Sequence, residues 1–390
     1  MSAAILPGRT IGIFGSGQLG RMMTIAARRL GYAVHVYSPD RGSPAGQLAD
    51  VERTAPYDDA AAVGAFVAGV DVVTFEFENV PAAPVAAAAA GRSIPVRPSA
   101  DVLHALQHRG REKRFLADLG VPVAAFEEVD SLVALKDAVH RLGVPVVVKT
   151  SRLGYDGRGQ VRLRSIEPTD VAAAWQAIGR VPAIVERFVT FDRELSVVAA
   201  RGADGAFADF GAFENRHERH ILDLATAPAD VPTATAAEAI RLTRRIATAL
   251  DLVGVLCVEF FLTGDSELVV NEVAPRPHNS GHLTIDACVT SQFEQHVRAV
   301  CGLPLGGTRQ LAPAAMANLL GDLWEGGEPD WARLLGWPEV RLHLYGKREA
   351  RPGRKMGHLT SLGRSAAEAA AVVSAARAVL ARRSVQPPAI

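Results

Sequence analysis

Cysteine is scarce in this chain: three residues in 390, at positions 257, 288 and 301. No CxxC pair occurs and no histidine stands beside them at ligand spacing, which argues against a disulfide framework and a structural zinc site. Cys257 lies inside the apolar run Val255-Leu256-Cys257-Val258 and reads as a small core side chain. An excess of charge of either sign is also missing, since 42 Lys and Arg balance 42 Asp and Glu. A duplex-binding protein carries a basic surplus, so nucleic acid is not expected as a partner, although local clusters can still hold a small phosphate. Gly, Pro or charge interrupts every apolar stretch before the roughly 18 residues that would suggest a bilayer span. The N-terminal MSAAILPGRT is too short and broken for a secretory signal. The expectation is a cytoplasmic protein with no membrane contact.

What is present is ordinary globular material. Hydrophobic residues make up 48% and charged residues 22%, and the length exceeds what one core usually accommodates, so two or three domains are expected. Over the first hundred residues strand and helix signals alternate. Thr10–Phe14 is an apolar strand, Gly15-Ser16-Gly17-Gln18-Leu19-Gly20 follows, then a helix-like run to Leu30, a stop at Gly31 and a strand at 33–37. Another strand at 70–75 ends in Glu76-Phe77-Glu78-Asn79. This rhythm predicts an open parallel sheet with ligand at the carboxyl ends of its strands. Ala82–Ala90 reads as a surface helix, 94–99 as a connector and 100–119 as one helical segment. Val121-Pro122 opens a smaller α/β unit carrying Pro145-Val146-Val147-Val148-Lys149, a Gly-rich loop and Ala183-Ile184-Val185-Glu186. Thr235-x-x-Glu238 and Ser291-x-x-Glu294 resemble capping boxes. Between them, strands at 255–262 and 267–273 flank a turn-rich hairpin. From about residue 303 the chain becomes Pro- and Gly-rich and ends in another small α/β or β unit.

Three constellations carry chemistry. Gly15-x-Gly-x-x-Gly20 after a strand is either a phosphate-binding fingerprint or a plain tight turn. A nicotinamide enzyme needs an acidic residue closing the second strand; that strand ends in Ser38-Pro39 with Asp40 behind the proline, which disfavours a dehydrogenase. Lys149 ends an apolar strand, and Gly154, Gly157, Gly159 and Gln160 follow. A lysine there offers charge to α- and β-phosphates beneath a loop able to fold over them, a simple Gly-rich hairpin being the alternative. Glu259 and Glu272 sit on neighbouring apolar strands. Carboxylates in such surroundings are costly unless paired or bound to metal. With Asn271 they supply hard oxygen ligands for magnesium on nucleotide phosphates; a pairing of Glu259 with Arg244 or Arg245 is the competing account. Arg276 is placed to neutralise a transferring phosphoryl group. Glu186-Arg187-Phe188-Val189 and Glu194 suit a nucleotide edge and ribose hydroxyls, or else are solvated charges. Asn215-x-His217 and the cluster 278–282 are polar loops, structural or functional. Lys347 with Arg351, Arg354 and Lys355 forms a basic patch fit for one phosphate monoester, or a solvated face.

As a set these residues resemble the 5-(carboxyamino)imidazole ribonucleotide synthases, ATP-grasp enzymes of bacterial and fungal purine synthesis. The resemblance runs through the 15–22 loop, Thr74-Phe75-Glu76-Phe77-Glu78-Asn79-Val80, Lys149 with 154–160, Arg193-Glu194-Leu195-Ser196 and Glu214-Asn215-x-His217. It continues through Asn271-Glu272-x-x-x-Arg276-Pro277-His278-Asn279-Ser280-Gly281-His282, then His343-Leu344-Tyr345-Gly346-Lys347 and His358-Leu359-Thr360. Ser16 departs from the consecutive glycines common in the family. The resemblance implies a mixed α/β and α+β ATP-grasp fold. A pre-ATP-grasp domain would span 1–100, an ATP-grasp domain 101–302 with its lid near 121–190, and a small C-terminal domain 303–390.

It also implies that ATP is held by Arg109, Lys149, Gly154, Gly157, Gly159, Gln160, Glu186, Arg187, Phe188, Val189, Glu194, His217, Asn271 and Glu272. Magnesium would sit on Glu259 and Glu272, and the ribotide on Gln18, Leu19, Glu76, Lys347, Arg354 and Lys355. Tyr155, Asp156, Arg158, Arg276, His278 and Asn279 would serve the chemistry. In this family ATP phosphorylates bicarbonate, and carboxyphosphate, or carbon dioxide released from it, carboxylates the exocyclic amine of aminoimidazole ribonucleotide. A homodimer is the expected assembly. A formate-using glycinamide ribonucleotide transformylase would share the metal carboxylates without Tyr155-Asp156 beside Arg158 and the 278–282 cluster. An inactive paralogue would be expected to have lost Lys149, Glu259, Glu272 or Arg276.

Overall fold

The computed structural model describes residues 4–152, 154 and 159–380. Tyr155, Asp156, Gly157 and Arg158 therefore lie outside the described residues. The apolar strands Thr10–Phe14 and Val72–Phe75 are buried through most of their length, as the middle of a parallel sheet covered on both faces requires. All neighbours are parallel, in the order Val51–Thr54, Ala33–Ser38, Thr10–Phe14, Val72–Phe75. Helix Gln18–Arg29 lays Met22, Met23, Ala26 and Ala27 against this sheet. The open sheet expected from the strand–helix rhythm is present, and its carboxyl edge carries Glu76 and Glu78.

A second, antiparallel sheet follows the order Phe126–Val129, Ala183–Arg187, Val146–Thr150, Gln160–Leu163. Helices Leu132–Leu142 and Pro168–Ala177 close its back through Leu135, Val139, Val171 and Trp175. The third sheet has eight strands, beginning Leu268–Ala274, Gly254–Leu262, Arg193–Arg201, Phe207–Glu218 and Ile221–Ala227. It continues without a break into Ala314–Leu320, Lys355–Leu362 and Val340–Leu344. The C-terminal unit thus shares a sheet with the central one while keeping its own core around Leu359, Val373 and Leu380.

Two local expectations need correction. The segment 100–119 is two helices, Ala100–Leu106 and Arg109–Asp118. They separate because Gln107 donates its side-chain amide to the Val80 carbonyl and the Arg109 N–H goes to the Ser151 carbonyl. The break brings the Arg109 end of the second helix to the lid. The Thr235–Glu238 box does not cap its helix, which begins at Thr233 behind Pro232 with no side-chain cap. Ser291 does cap as expected, its hydroxyl accepting from Glu294 N–H at 3.2 Å. Among the described residues no helix is long and apolar enough to cross a membrane.

His296 joins two of these sheets. Its Nδ1 accepts from Val255 N–H at 3.2 Å, so the proton sits on Nε2 and is donated to Thr74 Oγ1 at 2.8 Å. Burial pushes the imidazole down from 6.5 to about 3. Between those values the unfolded chain binds a proton that the folded chain refuses. Stability from this source is therefore complete above the unfolded value and falls as pH drops toward 3, by up to about 1.4 kcal/mol per unit. Urea midpoints at pH 7 and pH 5 check this. His296→Gln should be less stable at pH 7 and lose less on acidification than the parent.

Candidate active site

A cavity of about 640 Å³ opens between the carboxyl edge of the parallel sheet, the lid and the end of the Leu268–Ala274 strand. Gln18, Leu19, Glu76, Arg109, Gly154, Glu272, Arg276, His278, Asn279, Lys347, Arg354 and Lys355 all line it. Residues anticipated from segments far apart in sequence thus converge on one cleft.

The glycine loop does something other than cradle an external pyrophosphate. Glu76 fills that place: its carboxylate accepts from Gly17 N–H at 2.5 Å and Leu19 N–H at 3.0 Å, at the positive end of the helix that follows. A Cβ on Gly15 or on Gly17 would come within 2.5 Å of the Glu76 side chain. These glycines admit the chain's own carboxylate, as the tight-turn alternative has it. Burial raises the Glu76 carboxyl, against the pull of the loop N–H groups and Lys347. Ser16 bonds Ser38 Oγ at 2.6 Å. Lys347 Nζ donates to Gln18 Oε1 at 2.6 Å and to the Lys355 carbonyl at 2.5 Å, tying the basic patch to the same loop. The Arg354 guanidinium donates to the Glu349 carbonyl.

At the lid side, Lys149 Nζ donates to Glu186 Oε2 at 2.8 Å, and Arg109 spans the cleft from Gly154 O at 3.0 Å to Glu272 Oε2 at 3.3 Å. Gln160 pairs with Lys149 across two antiparallel lid strands, and Gly159 has φ +70, where a Cβ would meet Thr150 Oγ1 at 2.7 Å. Arg187 turns its guanidinium to the Leu142 carbonyl at the end of a lid helix. That side chain serves the lid, which leaves only its backbone for a nucleotide. Phe188 lies under the Arg162 guanidinium, 3.6 Å from the ring centre. Glu194 meets His217 Nδ1 at 2.5 Å, and although burial opposes it, this contact raises the imidazole.

Glu259 and Glu272 are direct partners across their antiparallel strands, so both carboxylates leave the same face. Glu272 opens to the cavity with 39% of its side chain accessible, while Glu259 is enclosed at 15%. Enclosure, with the negative charge of Glu272 added, pushes Glu259 up to about 8. Glu272 goes the other way: burial opposes ionisation, yet Arg109 and Lys149 hold it below the usual carboxylate range. Two like charges with one forced toward neutrality are what a divalent cation would relieve, and the oxygen-only donor set suits magnesium. Phosphate oxygens would complete such a shell, since among the described residues no group of three or more His, Cys, Asp or Glu forms a metal cluster.

Arg276 pairs with Glu78, Nε to Oε2 at 2.6 Å. Burial opposes the charge, but Glu78 keeps the guanidinium firmly protonated. Ser280 N–H donates to His278 Nδ1, which leaves the proton on Nε2 facing Glu259 Oε1 at 3.2 Å. Glu259 therefore meets a histidine; Arg244 stacks on Phe207 and Arg245 lies by Gly120. Asn279 exchanges two hydrogen bonds with Asn318, 2.6 and 3.1 Å, so its side chain is committed to holding the loop on the C-terminal strands.

Glu78, Glu112, Lys113, Ser280 and Asn318 are contacts that sequence reasoning missed. Arg109, Glu112 and Lys113 stand at i, i+3 and i+4, a charged stripe on a helix that also buries Leu116, and that spacing was the available signal.

A small antiparallel lid facing a larger antiparallel sheet that presents paired carboxylates, beside an open parallel sheet, defines an ATP-grasp ligase. Three family descriptions match in sequence along the chain: a ribonucleotide synthetase preATP-grasp domain over 8–107, an ATP-grasp domain over 114–293 and a phosphoribosylaminoimidazole carboxylase C-terminal domain over 314–372. The N5-carboxyaminoimidazole ribonucleotide synthase of Brucella melitensis is 46% identical, covering 92% of this chain and 98% of its own. A synthetase of that name solved with ADP superposes with TM-score 0.91 at 41% identity, over 96% of this chain and 98% of the other. An Aspergillus clavatus synthase solved with ADP and 5-aminoimidazole ribonucleotide gives TM-score 0.86 at 32% identity, over 95% and 98%. The chain belongs to the N5-carboxyaminoimidazole ribonucleotide synthase family, ATP-dependent ligases of purine biosynthesis.

Proposed function

We propose that this cleft carboxylates the exocyclic amine of aminoimidazole ribonucleotide with bicarbonate, at the expense of ATP. The observation that carries the reading is the opposed pair Glu259 and Glu272, of which Glu272 lines a cavity that Lys347 and Lys355 also line while Glu259 is enclosed behind it. Glu259 and Glu272 would hold magnesium, which when bound neutralises the β- and γ-phosphates. Lys149 and Arg109 add positive charge on the lid side, and Glu186, Glu194 and His217 suit the nucleoside. Arg276, kept charged by Glu78, faces the cavity where bicarbonate oxygen attacks the γ-phosphorus and charge accumulates. Carboxyphosphate, or carbon dioxide from it, then meets the amine; Asp156 orients or deprotonates that amine and Arg158 supports the anion. Exclusion of water protects the intermediate from hydrolysis. Two copies of the chain and a cytoplasmic setting complete the reading, and sedimentation tests the first.

ADP release under omission tests the whole. It should require both bicarbonate and aminoimidazole ribonucleotide. Release with formate and glycinamide ribonucleotide in their place would support the transformylase instead. Lys347→Ala should raise the ribotide KM by about ten- to a hundredfold, the worth of one charged hydrogen bond, with the ATP KM unchanged. An unchanged ribotide KM would move the phosphate elsewhere.

A further inference from the structure

Helix Arg109–Asp118 lies where the lid and the eight-stranded sheet meet, and it sends charge inward. Glu112, 4% exposed, accepts from Val273 N–H at 2.6 Å. Lys113, 2% exposed, donates to the Asn271 carbonyl at 2.8 Å and stands 3.7 Å from Glu186 Oε1. Lys149 holds the other oxygen, Oε2, at 2.8 Å. A buried carboxylate thus lies between two lysines. Burial alone would raise Glu186, yet Lys113 and Lys149 together hold it down to about 2.

One cation would balance one anion, and burying a second ammonium costs several kcal/mol. The two lysines differ in how they are held. Lys113 is anchored to backbone carbonyls of the strand that carries Glu272. Lys149 belongs to the lid, its side chain is 12% exposed against 2% for Lys113, and Glu186 is its hydrogen-bond acceptor.

We propose that Lys113 is the standing counter-ion of Glu186, which frees Lys149 to leave that carboxylate for the phosphates of an incoming nucleotide. Without Lys113, that move would strand an unpaired carboxylate in the interior, and Lys149 would stay where it is. Lys113 touches no substrate; it is a positioning residue, acting through Glu186. The inference rests on reading Lys149 and Glu186 as nucleotide residues.

Four variants test it: Lys113→Met, Lys113→Arg, Glu186→Gln and the double Lys113→Met/Glu186→Gln, with KM for each substrate and thermal midpoints. Lys113→Met should raise the ATP KM about tenfold or more and leave the ribotide KM within about twofold. Lys113→Arg should recover most of the loss. A neutral amide needs no counter-ion, so adding Lys113→Met to Glu186→Gln should change the ATP KM by less than about threefold. Full multiplication of the two single effects would overturn the proposal, as would an unchanged ATP KM in Lys113→Met. If Lys113→Met fails to fold, the double variant, which buries no carboxylate at position 186, carries the comparison with Glu186→Gln. If the double also fails to fold, Lys113 is structural and the proposal falls. Glu186→Gln and Lys149→Ala both leaving the ATP KM unchanged would instead refute the nucleotide reading itself.

Discussion

Glu272→Gln should lower kcat by about a thousandfold or more while leaving the fold intact. Gln keeps the shape and removes one charge of a repelling pair. Glu259, held up first by burial and then by the charge of Glu272, should fall part of the way from about 8 once that charge is gone. The glutamine oxygen can still accept from Arg109, so relief at Glu259 offsets the lost charge of that ion pair and the thermal midpoint should stay within a few degrees. On the proposed reading the loss falls on chemistry, because magnesium would be held by one charged ligand instead of two, and Lewis-acid stabilisation of transferring phosphate is worth several kcal/mol, about tenfold in rate for each 1.4. A magnesium titration separates causes: part of the lost rate should return at high metal concentration. Full activity in this variant would remove Glu272 from the metal site.

Removing Arg276 should cost about 10²–10³ in kcat, the usual effect of deleting one preorganised donor at developing negative charge. The single variant Arg276→Met is ambiguous, because Glu78 would be left without its partner in a largely enclosed place, at about 2–3 kcal/mol of stability. The double variant Arg276→Met/Glu78→Gln resolves this. Its thermal midpoint should recover most of what the single variant loses, and its kcat should remain low. Recovery of both together would make Arg276 a structural ion-pair partner only.

The parallel sheet, the lid strands and the carboxylate strands were legible because each is a short apolar run whose polar interruptions fall at its end or on one face. Glu259 and Glu272 could be found for that reason: a charge inside a run of Val and Phe has to be explained. The break at Gln107-His108 was not legible, since it depends on carbonyls of Val80 and Ser151 supplied by distant segments. The pattern around Gly15 and Gly17 left a phosphate site and a tight turn both open, because a fingerprint of glycines says that something negative comes close without saying whose charge it is; Glu76 supplies it. Asn279 and Arg187 are polar residues in the right neighbourhood whose side chains are engaged elsewhere, by Asn318 and the Leu142 carbonyl. Side-chain direction past a strand end is set by tertiary partners that local pattern does not contain.

The most direct measurement follows oxygen-18 from labelled bicarbonate during turnover with ATP and aminoimidazole ribonucleotide. Attack of a bicarbonate oxygen on the γ-phosphorus should leave one label in each inorganic phosphate, released in step with ADP and carboxylated ribotide. Unlabelled phosphate formed at the full rate of ADP release would mean that water or another nucleophile cleaves ATP here, and the carboxylation account would fail.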